Sequence, residues 1–469
     1  MLCSSFVRIV SHIDADGICC AAIAKASLQR AGTDVEVMFL KSLTPGGIAE
    51  LGTGLPPGGL VWLCDLGSGL LPRLEGLDCV ITDHHRPVYA SVDVPASKRR
   101  DILSFTQAVT DRPSTLTHLS PHEWGVDGTT EISGAGVTYL VAREMSPQNE
   151  DLAVLAIVGA LGDQQMQSGK LQGANRGFMA MAIQRGTLSV RNDIALYGRE
   201  TRDIVQLLVY ANEPTIPGIS QNEAGAREFF EAVGVRLNRP EGGIRHWYEL
   251  DEQERTAVIS GLVKVLLFNH PKTDQAKRLI GESYILCEEK EGSPLRDGKE
   301  FSTLLNSCGR YGNADVGLDI CMGDRGARLS RGLELMKGHR ANLQEFLRLI
   351  KEMGLTPRSG FSYFYTKDAI PEEVVGILVG ILLGSGQADK GKPLFALADS
   401  SEPGMVKVSG RATRTLVDEG LDLSRVLKGC CEVVGGSGGG HDIAAGGIIP
   451  KERMEEFLVA LEKRIGNRV

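Results

Sequence analysis

Apolar runs that do not alternate with polar residues dominate the first 90 residues, and they constrain the fold more than any other feature. Phe6–Ser11, Val35–Leu40, Leu60–Cys64 and Cys79–Thr82 read as strands covered on both faces, as in a parallel sheet. A helix-forming stretch from Gly17 to Ala31, stopped at Gly32, lies between the first two. The pattern predicts an open, doubly wound α/β domain. Asp151–Leu161 reads as a further buried helix that ends at Gly162-Asp163, whereas residues 93–130 are polar and irregular and place His118, His122 and Trp124 in a loop.

From about Pro214 the alternation is lost, with Pro214, Pro217, Pro240 and Gly242-Gly243 interrupting the chain and Glu288–Glu300 reading as a surface loop. A long helix follows, with Leu329, Leu333, Met336, Leu343, Leu347 and Ile350 at helical spacing and Gly354 at its end. A final α/β portion contains a helix after Pro371, where Gly376, Gly380 and Gly384 are spaced for close packing. It closes with a helix after Pro450 that carries a stripe of Met454, Phe457, Leu458, Leu461 and Ile465. The expected organisation is therefore three α/β portions: residues 1–213, an inserted domain with a connecting helix over 214–340, and residues 341–469.

Composition narrows the function. Hydrophobic residues at 42% and charged residues at 23% exclude a disordered or fibrous chain. The 57 glycines form no repeat, so many must serve tight turns or close backbone approaches. A net charge of -8 argues against a general polyanion coat, yet leaves room for a local basic groove or a metal site. The 10 cysteines form no C-x-x-C pair, and several that lie in apolar runs read as buried thiols of a reducing cytosol. Met1–Val10 shows no export signal, and Val374–Leu383 is too short to span a bilayer. A soluble, cytoplasmic protein with no membrane partner is expected.

Four carboxylate-bearing segments lie where a strand or helix ends: His12-Ile13-Asp14-Ala15-Asp16-Gly17, Cys64-Asp65, Thr82-Asp83-His84-His85, and Gly162-Asp163. In a doubly wound sheet, loops at the carboxyl ends of strands converge on one site. Alternate residues of an extended segment point the same way, so His12, Asp14 and Asp16 can face it together. Each segment alone has a plainer reading, as a turn or a helix N-cap. Their joint occurrence in order favours a shared site. Converging carboxylates repel unless cations neutralise them, and mixed Asp and His donors suit Mn²⁺ or Mg²⁺. Two such ions could activate a water and stabilise the leaving oxygen of a phosphodiester, with Asp65 as the bridge and His85 as proton donor.

These segments resemble the motifs of the DHH phosphoesterase superfamily, named for Asp83-His84-His85. The resemblance implies a site for two Mn²⁺ or Mg²⁺ ions held by His12, Asp14, Asp16, Asp65, His84 and Asp163. Asp83 would orient its neighbours and His85 would take the catalytic role. Further on, Gly435-Gly436-Ser437-Gly438-Gly439-Gly440-His441 with Ala444-Ala445-Gly446-Gly447 is similar to the G-G-G-H motif of the DHH-associated domain, and Ser409-Gly410-Arg411 to its S-x-R segment. Glycines there are expected to form a backbone nest for an anion, with Ser409, Arg411, Gly438, Gly439, Gly440 and His441 binding substrate.

The long separation of the two halves resembles the RecJ-like exonucleases of archaea, which implies single-stranded DNA or RNA as substrate and an inserted domain that docks on the GINS complex of the replisome. Phe301–Arg310 is similar to a segment of those proteins, so Asn306 or Arg310 is expected to face the cleft, Asn306 being the substrate-binding candidate. Lys98, Arg99, Arg100, Lys407, Arg411 and Arg414 are expected to track the strand's backbone. Two alternatives stand beside the exonuclease: a phosphodiesterase of short oligonucleotides or cyclic dinucleotides, and a replication scaffold related to the eukaryotic replicative helicase. The scaffold reading expects lost acidic ligands, and none is missing.

Overall fold

The structure, a computed structural model, describes residues 4–44, 46–87, 116–269 and 275–466. Lys98, Arg99 and Arg100 lie outside the described residues. The chain divides into two compact units, Met1–Met336 and Lys337–Val469.

In the first unit, strand β1 (Phe6–His12) leads into helix α1 (Ala15–Arg30), followed by β2 (Asp34–Leu40), β3 (Leu60–Cys64), β4 (Cys79–Thr82) and β5 (Leu116–Leu119). The strands form one parallel sheet in the order β2-β1-β3-β4-β5. One face packs Val7, Ile9, Trp62 and Cys64 against α1 and against helices α2 (Gly134–Met145) and α3 (Ala153–Gly162). The other face packs Val10, Val61, Leu63 and Ile81 against the short helices Ile48–Leu51 and Leu71–Leu74. Burial on both faces is why β1, β3 and β4 read as continuous apolar runs. Strand β2, at the sheet edge, is only partly buried with Glu36 exposed, contrary to the sequence expectation. Ser11 pairs with Cys64, Cys64 with Thr82, and Thr82 with Leu119, so the carboxyl ends of four strands lie in line. The sheet grows from β1 toward β2 and from β3 toward β4, which opens a crevice at the ends of β1 and β3.

One strand departs from the sequence expectation. His118 sits in the edge strand β5, not in an irregular loop, and Pro121–Trp124 is a single 3₁₀ turn. The edge strand carries two polar residues among four, Thr117 and His118, so it lacks the apolar run that marks its neighbours.

Strand β6 (Leu188–Ile194) pairs antiparallel with β7 (Ile280–Leu286), and Ile194 faces Ile280 across the ladder. The chain between them leaves and returns at this neck. It is mainly helical, with Ile204–Val209, Glu223–Ala232 and Glu252–Asn269 around a separate core of Ile204, Phe230, Trp247 and Leu262. Helices α4 (Gly298–Arg310), α5 (Ala314–Cys321) and α6 (Ala327–Met353) follow.

The second unit holds β8 (Thr356–Arg358), β9 (Phe361–Tyr365), helix α7 (Glu372–Gly384), β10 (Leu394–Asp399), β11 (Met405–Arg411), helix α8 (Leu423–Val433), β12 (Ser437–Gly440), β13 (Ala444–Pro450) and helix α9 (Met454–Gly466). Its sheet has the order β12-β13-β11-β10-β9-β8. Helix α7 packs Val375, Leu378 and Val379 with Ala396 of the sheet, while α8 and α9 bury Leu427, Cys431, Phe457 and Leu461 with Val408.

Two expectations are corrected in this unit. A Cβ at Gly376 would lie 3.3 Å from Ser409 Oγ, but Gly380 and Gly384 have nothing within 4 Å, so close packing rests on Gly376 alone. The Gly-rich segment is a strand, not a nest. Gly438 pairs with Gly447, and a Cβ on either would come within 2.9 and 2.6 Å of Cys431 Sγ. These glycines let α8 lie directly on the sheet. Among the described residues, no helix is long and apolar enough to cross a membrane.

Candidate metal centre

The site begins where β1 stops. Asp14 is the N-cap of α1, its Oδ1 accepting from Gly17 N at 3.0 Å. The chain turns so sharply there that a Cβ at Gly17 would lie 2.2 Å from His12 O. This turn aims His12, Asp14 and Asp16 into the crevice. Asp65 follows β3 with φ +57, a left-handed conformation that a non-glycine residue rarely holds without a purpose. Asp83, His84 and His85 follow β4, and Asp163 caps the C-terminus of α3.

These side chains meet. His12, Asp14 and Asp65 bring ligand atoms within 4.8 Å of one another, as do Asp16, His84 and Asp163, and likewise Asp65, His84 and His85. His84 Nε2 lies 3.2 Å from Asp65 Oδ1 and 3.1 Å from Asp163 Oδ2, while His12 Nδ1 lies 2.9 Å from Asp14 Oδ2 and 3.5 Å from Asp65 Oδ2. Asp65 and His84 are each common to two of the three groups, and Asp65 is the carboxylate among them.

The electrostatics are frustrated. Burial, reinforced by the Asp65 charge, raises Asp16 to about 7. Burial and the charge of Asp16 push Asp163 well above the carboxylate range. Burial alone would lower His84 and His12, yet Asp163 raises the first and Asp14 the second well above the imidazole range. Asp14 is held low against burial by His12. Protons are thus drawn in to offset carboxylate repulsion.

Divalent cations fit this donor set. Asp65 Oδ1 is buried without a hydrogen bond, and carboxylate oxygens with imidazole nitrogens are hard-to-borderline donors that suit Mn²⁺ or Mg²⁺.

The surroundings fix the donors. Asp16 Oδ2 accepts from Gly134 N at 2.7 Å and Oδ1 from Ala135 N at 3.1 Å, at the positive end of α2. A Cβ at Gly159 would lie 2.3 Å from Asp16 Oδ1, so only glycine leaves room. His84 Nδ1 lies 2.5 Å from Gly128 O, which assigns the proton to Nδ1 and turns Nε2 toward the aspartates. Gln165 Nε2 donates to the same carbonyl at 2.9 Å. Asp83 stands one step back: its Oδ1 is 2.7 Å from His85 Nδ1 and its Oδ2 accepts from Ser68 N at 2.9 Å. His85 is half exposed, and Asp83 raises it above the ordinary imidazole range despite burial, while His85 holds Asp83 low.

Asn306 lies against the loop of the candidate metal centre. Its Oδ1 accepts from Ala15 N at 3.0 Å, on the loop that carries Asp14 and Asp16. Arg310 is largely buried near Asp14 and lacks a hydrogen bond or ion pair among the described residues. The sequence did not mark Gly128, Gly134, Gln165 or Ser68, and it gave Gly159 only as part of the segment that ends at Asp163; nothing local distinguishes them from turn or helix residues.

In the second unit, Ser409, Arg411 and Gly440 line a cavity of about 220 Å³ together with Lys407 and Gly446. Lys407, Ser409 and Arg411 alternate along one face of β11. Neither Lys407 nor Arg411 has an ion-pair partner among the described residues, and burial lowers Arg411 below the usual guanidinium range. Gly438 faces Cys431 and Gly439 is open, while His441 N donates to Ala444 O at 2.7 Å in the turn beyond the strand. Arg414 pairs with Asp442 at 3.3 Å.

Residues 196–280 match the DHH-CID domain and residues 360–467 match the DHHA1 domain. An uncharacterized protein of Methanocaldococcus jannaschii is 29% identical over 467 residues, which cover 99% of this chain and 94% of that one. A crystal structure of RecJ from Thermus thermophilus in complex with Mn²⁺ is 18% identical, with a TM-score of 0.54. The match covers 98% of this chain and 52% of that one, so the chain spans about half the length of that relative. CDC45 from Entamoeba histolytica is 11% identical with a TM-score of 0.62, covering 98% and 95% of the two chains. At these identities the structural likenesses show a shared fold.

Proposed function

We propose that this chain, a RecJ-like protein of the DHH superfamily by its domains and fold, is a metal-dependent exonuclease of single-stranded DNA or RNA. The convergence of six acidic and histidine side chains at the ends of β1, β3, β4 and α3 carries the reading. His12, Asp14, Asp16, Asp65, His84 and Asp163 would hold two Mn²⁺ or Mg²⁺ ions. Such ions, when bound, supply charge that activates water and offsets the negative charge growing on a cleaved phosphodiester.

The chain's own groups do the rest. Asp83 accepts the Nδ1 proton of His85 and so presents Nε2 outward, where it can give a proton to the leaving oxygen. Ser68 N holds Asp83 from behind. In the second unit, Arg411 and Lys407 offer unpaired charge and Ser409 a hydroxyl to a phosphate, on a floor of Gly440 and Gly446 without side chains to block it. The cavity's lining holds no aromatic ring, which favours grip on the backbone over reading of bases.

A replisome role through residues 214–340, including docking on GINS, is a second element of the reading. The likeness to CDC45 favours it over a stand-alone digestive enzyme. The full acidic set argues that any such role accompanies catalysis.

End-labelled single-stranded DNA and RNA, incubated with Mn²⁺ or with chelator, test the proposal. Stepwise shortening of either strand, only with metal, is expected. Cleavage confined to dinucleotides or cyclic dinucleotides would move the assignment to the small phosphodiesterases.

A further inference from the structure

Helix α4 touches two places that the chain keeps far apart. At its N-terminus, Asp297 caps the helix by accepting from Lys299 N at 2.9 Å and pairs with the buried Arg199, whose Nε lies 3.0 Å from Asp297 Oδ2. Fully buried Glu300 accepts from Glu200 N at 2.9 Å and from Thr201 Oγ1 at 2.5 Å. Arg199, Glu200 and Thr201 open the stretch matched by the DHH-CID domain. A Cβ at Gly298 would lie 2.6 Å from Leu161 Cδ1, two residues before Asp163. At the other end, Asn306 Oδ1 accepts from Ala15 N, and a Cβ at Gly309 would fall 1.7 Å from Ile13 O. The backbone of α4 therefore lies against the His12–Asp16 loop with no room for a side chain. Glu300 and Gly309 are about 14 Å apart along one rigid helix.

We infer that α4 is a strut through which the inserted module sets the cation affinity of the metal loop, with Glu300 and Thr201 as positioning residues. The inference rests on the cation-binding reading of the site. A shift of residues 199–201 moves the N-terminal end of the helix, and close packing passes the shift to Ile13 and Ala15, which flank Asp14. Neither positioning residue belongs to the set that would hold the ions.

Titration of free Mn²⁺ by electron paramagnetic resonance against the full-length protein tests this. Glu300→Ala is expected to weaken binding roughly threefold or more, and Thr201→Val to weaken it in the same direction. Leu262→Ala removes a fully buried side chain of the inserted module's own core; it should lower the thermal midpoint in chelator and leave Mn²⁺ affinity unchanged. If Glu300→Ala does not fold, Thr201→Val decides. Wild-type affinity in the folded variants overturns the strut, as does an equal loss in Leu262→Ala. A wild-type protein that binds no Mn²⁺ overturns the site reading itself, and the strut with it.

Discussion

The two units solve opposite electrostatic problems. At the crevice of the first, carboxylates crowd until burial and mutual repulsion raise Asp16 to about 7 and draw protons onto His84. In the cavity of the second, Arg411 and Lys407 have no ion-pair partner among the described residues. One place lacks positive charge and the other lacks negative charge. Under the proposed function, divalent cations would answer the first and a phosphate of the substrate the second.

The largest effects should break the crevice. Asp65→Asn removes the carboxylate shared by two donor groups, and isothermal titration with Mn²⁺ should show binding lost and hydrolysis abolished. His85→Ala should lower kcat by roughly 10²–10⁴-fold in steady-state assays while Mn²⁺ affinity stays near that of the wild type. Asp83→Ala should also abolish hydrolysis in a protein whose circular dichroism is unchanged. Full residual activity there would remove the Asp83–His85 pair from the mechanism.

Smaller effects should sharpen the other side. Arg411→Ala is expected to raise KM by roughly tenfold or more with little change in kcat, since a charge-assisted contact contributes about 1.5–3 kcal/mol. Its binding should also depend less on salt, the slope against log salt falling by about one. An unchanged KM and salt slope would separate the cavity from the substrate.

Much of this contrast was legible in the chain. The strands β1, β3 and β4 announced themselves because both faces are buried, and the acidic segments because each follows a strand or, for Asp163, a buried helix. Strand β5 was hidden because an edge strand with Thr117 and His118 has no apolar signature. The glycine-rich segment misled for a different reason: Gly438 and Gly447 are small to admit Cys431, a contact that sequence spacing does not reveal. The hydrogen bond of Asn306 to Ala15 was not legible because the two lie 291 positions apart. Gly128, Gly134 and Gly159 matter only because other segments press against them.

The last expected effect is on stability and concerns the junction of α4. Burial and the Asp297 charge raise Glu300 to about 7 from an ordinary 4.5. A carboxyl raised in the folded state contributes stability that is fully present below about pH 4.5 and is lost as pH rises toward 7. The loss is at most about 3 kcal/mol. Urea denaturation in chelator at pH 5 and pH 8 should show wild-type stability falling more than that of Glu300→Gln. Parallel falls would mean that Glu300 stays ionised in the fold.

The central claim is that side chains from four separated segments form one cation-binding site. Crystals soaked in MnCl₂ and measured for anomalous scattering test it most directly. Two manganese peaks are expected among His12, Asp14, Asp16, Asp65, His84 and Asp163, with Asp65 touching both. A map without peaks there, or with the six side chains turned apart, would contradict the account.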